Sequence, residues 1–216
     1  MNISRYLSFM ALALLALLAF HSSPAHACTC FPNHPQTSFC SAGYIAIVRI
    51  LKKSYSLKPQ HIVYKVETKK TYKKDASSHK MLKYGLITTP MEASLCALDL
   101  EVGTLYMIAA SGLNLNACVY VKSYLELSLT ERRGMAGGYR KACRCKVKQC
   151  NGESCLRNSE TSTGCKWKPF GCETRHSACV PTTYQTPEGT ISKCHWRRTA
   201  AYKQCLADPE NWWKNH

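Results

Sequence analysis

The sequence predicts a mainly β fold: a small closed barrel of the oligosaccharide/oligonucleotide-binding (OB) type, followed by a small disulfide-rich domain. Two observations carry this prediction. Residues 28–143 contain several short apolar runs and six cysteines, whereas residues 144–216 contain eight cysteines and few aliphatic runs. A short segment so poor in aliphatic residues relies on covalent bridges for its stability. We therefore predict a domain boundary between residues 143 and 144.

The segment 1–27 has the features of a secretion signal. Arg5 is its only charged side chain, and the apolar run Phe9–Phe20 that follows has 12 residues. A membrane-spanning helix needs about 20 apolar residues, and no other stretch approaches that length. Ala25-His26-Ala27 supplies the small residues that precede a signal-peptidase cut. We therefore expect cleavage that makes Cys28 the first residue, secretion into the extracellular space and no membrane span.

The first two predicted strands are the clearest in the sequence. Tyr44–Ile50 is apolar almost throughout, as in a buried strand, and His61–Glu67 alternates apolar and other residues. Lys69–Lys74 is predicted to extend the second strand as an exposed edge. The polar segment Lys52–Gln60 between the two strands is predicted to form a hairpin loop.

Two further strands and one short helix complete the first half. Thr104–Ala109 and Cys118–Val121 have the composition of strands. Ser128 and Glu131 have the spacing of a capping box, which would open a short helix. Short strands separated by turns, with little helix, are typical of a small barrel.

All 14 cysteines lie beyond residue 27, which favours a disulfide framework of up to seven bridges in an exported chain. The alternative is structural zinc, because Cys28 and Cys30, like Cys143 and Cys145, are close pairs. The sequence contains no C-x-x-C pair, and an oxidising compartment disfavours zinc sites made of thiolates. If bridges stay within each half, 15 and 105 connectivities remain open.

The formal net charge is +16, of which the segment after residue 27 carries +15. Such a charge favours anionic partners, namely glycosaminoglycans and acidic components of the extracellular matrix. Nucleic acid is not an expected partner of an exported protein. The alternative is that the basic surface only keeps the protein soluble, and charge alone does not decide between them.

Cleavage before Cys28 would expose an α-amine with an ordinary pKa of about 7.7–8.0. Such an amine is partly neutral at physiological pH, and a nearby metal ion favours the neutral form further. The amine nitrogen and the carbonyl oxygen of one residue can close a five-membered chelate ring on zinc. Catalytic zinc sites keep one position open for water, so this chelate would displace the water that the enzyme activates.

The residues after Cys28 would hold that terminus rigid. Disulfides from Cys28 and Cys30 would fix it, and Pro32 restricts both its own backbone and that of Phe31. A rigid segment loses less conformational entropy when it binds. Thr29 would then be the first side chain to enter an enzyme's specificity pocket. From the spacing alone, a plain terminal disulfide knot remains the simpler interpretation.

The segment Cys28–Cys40 resembles the mature N-terminus of the tissue inhibitors of metalloproteinases. Its C-T-C start, its H-P-Q triplet and its final F-C have the spacing of that family. Similarity continues through Ile62–Val66, Tyr106–Ala109 and the predicted domain junction at Cys143–Lys146. The resemblance extends to Cys205.

This resemblance implies a secreted, monomeric inhibitor of matrix metalloproteinases and related zinc endopeptidases, and not an enzyme. Residues 28–143 would form its five-stranded, OB-like (netrin-like) inhibitory domain. The zinc would be the catalytic zinc of the target, bound by the main-chain nitrogen and oxygen of Cys28, and the protein would need no cofactor of its own. The implied inhibitory ridge consists of Cys28, Thr29, Cys30, Phe31, Pro32, Ala93, Ser94 and Leu95.

The resemblance also implies a disulfide pairing. The family has twelve cysteines, so Cys172 and Cys179 are additional here, and we expect them to pair with each other. The expected bridges are Cys28–Cys96, Cys30–Cys118, Cys40–Cys143, Cys145–Cys205, Cys150–Cys155, Cys165–Cys194 and Cys172–Cys179.

The alternative function is a netrin-like module that binds heparin or extracellular matrix without inhibiting a protease. A free Cys28 followed by Thr29 argues against it, because a plain binding module needs neither. We predict that His34 is structural and that Trp167 and Trp196 lie in the core. No H-E-x-x-H motif is present, so the chain does not have the sequence of a zinc protease of that type.

Overall fold

The computed structural model describes residues 28–75, 78, 82–150, 155 and 160–208. The predicted signal segment 1–27 lies outside these residues. Within the described part of the chain, no helix is long and apolar enough to cross a membrane.

The first half forms a five-stranded antiparallel sheet, and the mainly β prediction is confirmed. The strand order is β3-β2-β1-β4-β5, and the described residues contain no strand pairing that joins β3 to β5, so the barrel-like sheet is open. The strands are β1 (Tyr44–Leu57), β2 (Gln60–Lys73), β3 (Leu86–Pro90), β4 (Leu105–Ala110) and β5 (Tyr120–Ser123).

The first half of strand β1, Tyr44–Ile50, is apolar on both sides because both of its faces are buried there. Tyr44 and Val48 belong to one core cluster, whereas Ile45 and Ile47 belong to a second cluster on the other face. Register shifts interrupt its pairing with β2, and such bulges bend a sheet. The sheet therefore curves around one core and carries the short helices on its other face.

The predicted hairpin loop Lys52–Gln60 is wrong. Strand β1 continues to Leu57 and β2 begins at Gln60, so only residues 58–59 form the turn. Most side chains of this ribbon are exposed, and its polar sequence reflects solvent on both faces. The polar composition of this segment therefore led to the wrong prediction. Apolar and polar side chains are expected to alternate only in a strand that has one buried face.

The helices are short. In Leu129–Arg133 the predicted capping box is present: the Ser128 hydroxyl accepts from the Glu131 amide at 3.1 Å, and the Ser128 amide donates to the Glu131 carboxylate at 2.8 Å. A π-type turn, Gly134–Gly138, follows directly. The helices are α1 (Pro35–Ser41), α2 (Leu129–Arg133), α3 (Cys172–His176) and α4 (Ala200–Ala207).

The second half contains two small sheets around a core of disulfides and tryptophans. Trp167 and Trp196 are buried in it, which confirms their prediction as core residues, whereas Trp212 and Trp213 lie outside the described residues. The strands are β6 (Lys146–Gln149), parallel to β7 (Gly164–Trp167), and β8 (Cys179–Thr186), antiparallel to β9 (Gly189–Trp196).

Three of the expected bridges in this half are wrong: Cys145–Cys205, Cys165–Cys194 and Cys172–Cys179. The structure has Cys145–Cys194, Cys165–Cys179 and Cys172–Cys205 in their place, with Cα separations of 5.8, 5.9 and 5.8 Å.

The packing of the helices and strands explains the difference. Helix α3 packs against α4, which brings Cys172 to Cys205. Cys179 at the start of β8 is thereby left to meet Cys165 on β7. The additional cysteines therefore rearrange the bridges of the whole half instead of adding one separate loop. The other four expected bridges are present: Cys28–Cys96, Cys30–Cys118, Cys40–Cys143 and Cys150–Cys155.

Candidate functional site

The segment before α1 is held by two disulfides that pack against each other. Cys28 is bonded to Cys96 and Cys30 to Cys118. The Cys30 sulfur lies 3.9 Å from that of Cys28 and 3.8 Å from that of Cys96. These four sulfurs are close enough to surround a metal ion, but as disulfides they offer no thiolate ligands. The pair of bridges therefore acts as a clamp.

The clamped segment is exposed at its tip and buried at its base. Thr29, Phe31 and Pro32 are exposed, and 81% of the Phe31 surface is accessible. Three residues after Phe31 the chain enters the interior, where His34 and Gln36 are each 1% exposed. The segment therefore presents its tip to solvent while its base is fixed in the interior.

The segment Ala93–Leu95 forms one exposed 3₁₀ turn beside this tip. The turn is closed by a hydrogen bond from the Cys96 amide to the Ala93 carbonyl at 3.0 Å, and the Ser94 hydroxyl donates to the Glu92 carboxylate at 3.1 Å. Cys96 has a left-handed backbone (φ 60°), which turns the chain toward its disulfide partner Cys28. The predicted ridge residues are thus brought together by this bridge.

His34 anchors the base of the segment in the second half of the chain. Its Nδ1 accepts from the Gln36 amide at 3.1 Å, so Nε2 carries the proton and donates to the Glu173 carbonyl at 3.0 Å. Its ring lies between Trp167 and Trp196, with centroid distances of 5.4 and 5.2 Å. Burial lowers the pKa of His34 to about 4, so the ring is neutral at physiological pH. The structural role predicted for this residue agrees with these contacts.

Gln36 joins the two halves of the chain through its side-chain amide. Its nitrogen donates to the carbonyls of Ala142 and Cys179 at 2.8 and 2.9 Å, and its oxygen accepts from the Cys179 amide at 2.8 Å. These contacts could not be predicted from the sequence, because the partners are more than 100 positions away. The only signal was the H-P-Q triplet itself.

Much of the positive charge lies on the β1–β2 ribbon. Lys53 and Lys69 are paired with Asp99 and Glu67, each at 2.6 Å. Other lysines of the ribbon and its ends are exposed, and Lys52 lies directly opposite Lys65 in the strand register. These exposed lysines are Lys52, Lys58, Lys65, Lys70 and Lys74.

The chain is similar to known proteins along most of its length. A family model described as "Tissue inhibitor of metalloproteinase" matches residues 26–196. The protein of that name from Drosophila melanogaster is 42% identical over 210 residues, which cover 97% of this chain and 100% of the relative. "Metalloproteinase inhibitor 3" of Scyliorhinus torazame is 28% identical over 87% of this chain and 89% of the relative. "Metalloproteinase inhibitor 2" of Homo sapiens is 26% identical over 89% of this chain and 90% of the relative. The chain belongs to the tissue inhibitor of metalloproteinase family.

Proposed function

We propose that this protein is a secreted inhibitor of zinc metalloendopeptidases, matrix metalloproteinases above all, and not an enzyme. Its family and the printed names of its relatives support this class of activity. In the proposed mechanism, removal of residues 1–27 frees the α-amine of Cys28. That amine and the Cys28 carbonyl oxygen bind the catalytic zinc of the target, and Thr29 enters its specificity pocket.

The observation that carries this proposal is the doubly clamped, exposed tip. Two contiguous disulfides fix Cys28 and Cys30 while Thr29, between them, remains exposed. A chelating terminus gains affinity when its freedom is already restricted, because less conformational entropy is lost on binding. The tip and the turn Ala93–Leu95 together form the proposed inhibitory ridge, and Phe31 and Leu95 provide its apolar contact area.

The amine of Cys28 performs the central step by donating its lone pair to the metal. It must be neutral to do so, and zinc favours the neutral form. The chelate occupies the position that a zinc protease uses to activate water, so hydrolysis stops. The zinc belongs to the target, and the inhibitor contributes only main-chain ligands and needs no cofactor. We propose that it acts as a monomer, since one ridge is sufficient for one enzyme.

The test compares two purified proteins, one beginning at Cys28 and one with a single alanine before it. Each is titrated against a matrix metalloproteinase catalytic domain. The extra residue moves the free amine away from the clamp and leaves every side chain unchanged, so we expect inhibition only by the first protein. Equal inhibition by both would refute chelation. Failure of both against several such enzymes at micromolar concentration would refute the inhibitor function.

A second candidate function is retention on sulfated glycosaminoglycans of the extracellular matrix. The exposed lysines of the β1–β2 ribbon favour it, because clustered cations attract polyanions. Substituting Lys52 and Lys65 by glutamine should lower the salt concentration that elutes the protein from heparin. The matched control substitutes the paired residues Lys53 and Lys69. An equal decrease in both variants would mean that net charge alone governs elution.

A further inference from the structure

A cavity of about 640 Å³ lies between helix α2 with its π-type turn and the helices α3 and α4. Binding sites for small molecules in proteins have volumes of about 300–1,000 Å³. None of the residues that line this cavity belongs to the inhibitory ridge. The family resemblance and the proposed inhibition therefore leave it without a role.

Three arginines line the cavity, Arg133, Arg175 and Arg197, and no acidic residue is among the described residues around it. Guanidinium groups are always charged and can bind carboxylate, sulfate or phosphate through two parallel hydrogen bonds. Arg175 also donates to the Glu126 carbonyl at 3.5 Å, and Arg133 and Arg197 are the exposed cations of the cavity. The cavity thus has the charge of an anion site.

Two main-chain carbonyls of the lining residues, which would repel an anion, already accept hydrogen bonds from side-chain hydroxyls. The Thr199 hydroxyl donates to the His176 carbonyl at 2.8 Å, and Thr130 donates to the same carbonyl at 3.5 Å. The Ser128 hydroxyl donates to the Arg175 carbonyl. These bonds also join α2 to α3 and α4 and so hold the two sides of the cavity together.

The rest of the wall is apolar and consists largely of small residues. Leu129 lies on one side, and Ala178, Ala200 and Ala201 lie on the other. A bare inorganic ion would make no contact with this apolar part of the wall. We propose that the cavity is a binding site for a small organic anion, one with a compact apolar body and a single carboxylate, sulfate or phosphate group held by the arginines.

The test measures binding of 2-naphthalenesulfonate to the full chain without its signal segment by isothermal titration calorimetry. Inorganic sulfate and the neutral 2-naphthalenemethanol serve as comparison probes. We expect saturable binding of one naphthalenesulfonate per protein, with each comparison probe binding at least about tenfold more weakly. Tight binding of the neutral probe, or no saturable binding of the sulfonate up to millimolar concentration, would overturn the proposal.

Two pairs of variants locate the site. Arg133→Gln and Arg197→Gln remove arginines that line the cavity, whereas Arg140→Gln and Arg198→Gln remove exposed arginines close by in sequence that do not line it. We expect the first pair to weaken naphthalenesulfonate binding about tenfold or more and the second pair to leave it unchanged. Equal affinity in all four variants would place the probe elsewhere and refute the proposal. All four of these arginines are exposed, so we expect each variant to fold, and near-ultraviolet circular dichroism verifies this.

Discussion

His34 and Gln36 are the two polar side chains that fix the base of the inhibitory ridge. Each is almost completely buried, and each bonds to main-chain groups in the second half of the chain. Buried polar groups are tolerated only when such partners are present. The proposed ridge is therefore supported by residues that do not lie on its surface.

Replacing Gln36 by alanine should lower the free energy of unfolding by about 2–4 kcal/mol. The substitution leaves the Cys179 amide and the two carbonyls that Gln36 bonds without partners in the interior. Urea denaturation measures the change, and Gln60→Ala, at an exposed position, is the control. If the free energy of unfolding of Gln36→Ala falls no more than that of the control, water replaces the hydrogen bonds of the glutamine side chain.

Acid should destabilise the protein through His34. Burial lowers the pKa of His34 in the folded state to about 4, below its ordinary value of 6.5, so the stability contributed by the neutral ring is present above pH 6.5. It is lost as the pH falls from 6.5 toward 4, and it amounts to about 3 kcal/mol. Thermal melts across this range should show a steeper decline for the wild type than for His34→Gln. Parallel declines would assign the acid transition to other groups.

The sequence predicted some strands of the sheet more clearly than others. Strand β1 was predicted because both of its faces are buried, and β2 because its apolar side chains alternate. Strand β3 was missed: Leu86–Pro90 is short, contains two threonines and ends in proline. The predicted bounds of β4 and β5 differ from the observed bounds by one or two residues, because the ends of short strands depend on neighbouring strands.

The parallel pair β6–β7 depends on Gly164. A Cβ atom added there would lie 2.1 Å from the Lys146 carbonyl oxygen, a main-chain atom that cannot move away without separating the strands. We expect Gly164→Ala to lower the free energy of unfolding by about 1–3 kcal/mol or more. Gly112→Ala, where nothing lies within 4 Å, is the matched control. Similar urea midpoints for both variants would contradict this reading of the contact.

At the scale of the whole molecule, disulfides provide stability that the three small core clusters alone would not provide. Two clusters lie on the faces of the sheet and the third is the cysteine-rich core of the second half. The sequence predicted this reliance on bridges and four of the pairs. It could not predict the other three, because eight cysteines allow 105 pairings and strand packing selects among them.

The bridge Cys172–Cys205 should stabilise the protein more than Cys150–Cys155. The first closes a loop of 33 residues and the second a loop of 5. Loop-closure entropy then gives about 4 kcal/mol against about 2 kcal/mol. Urea denaturation of the two double cysteine-to-serine variants measures the difference. A larger loss from the shorter loop would contradict the entropic account.

The bonds of Gln36 have a consequence for how the protein is made. Its partner Cys179 follows 143 residues later, so the two cannot meet until most of the chain has been synthesised. At about 5–20 residues per second, the delay is roughly 7–30 s. The disulfide partners Cys96 and Cys118 are made well before Cys179, so the clamp can close before its base is anchored. The base of the segment is therefore the last part of the proposed ridge to be fixed.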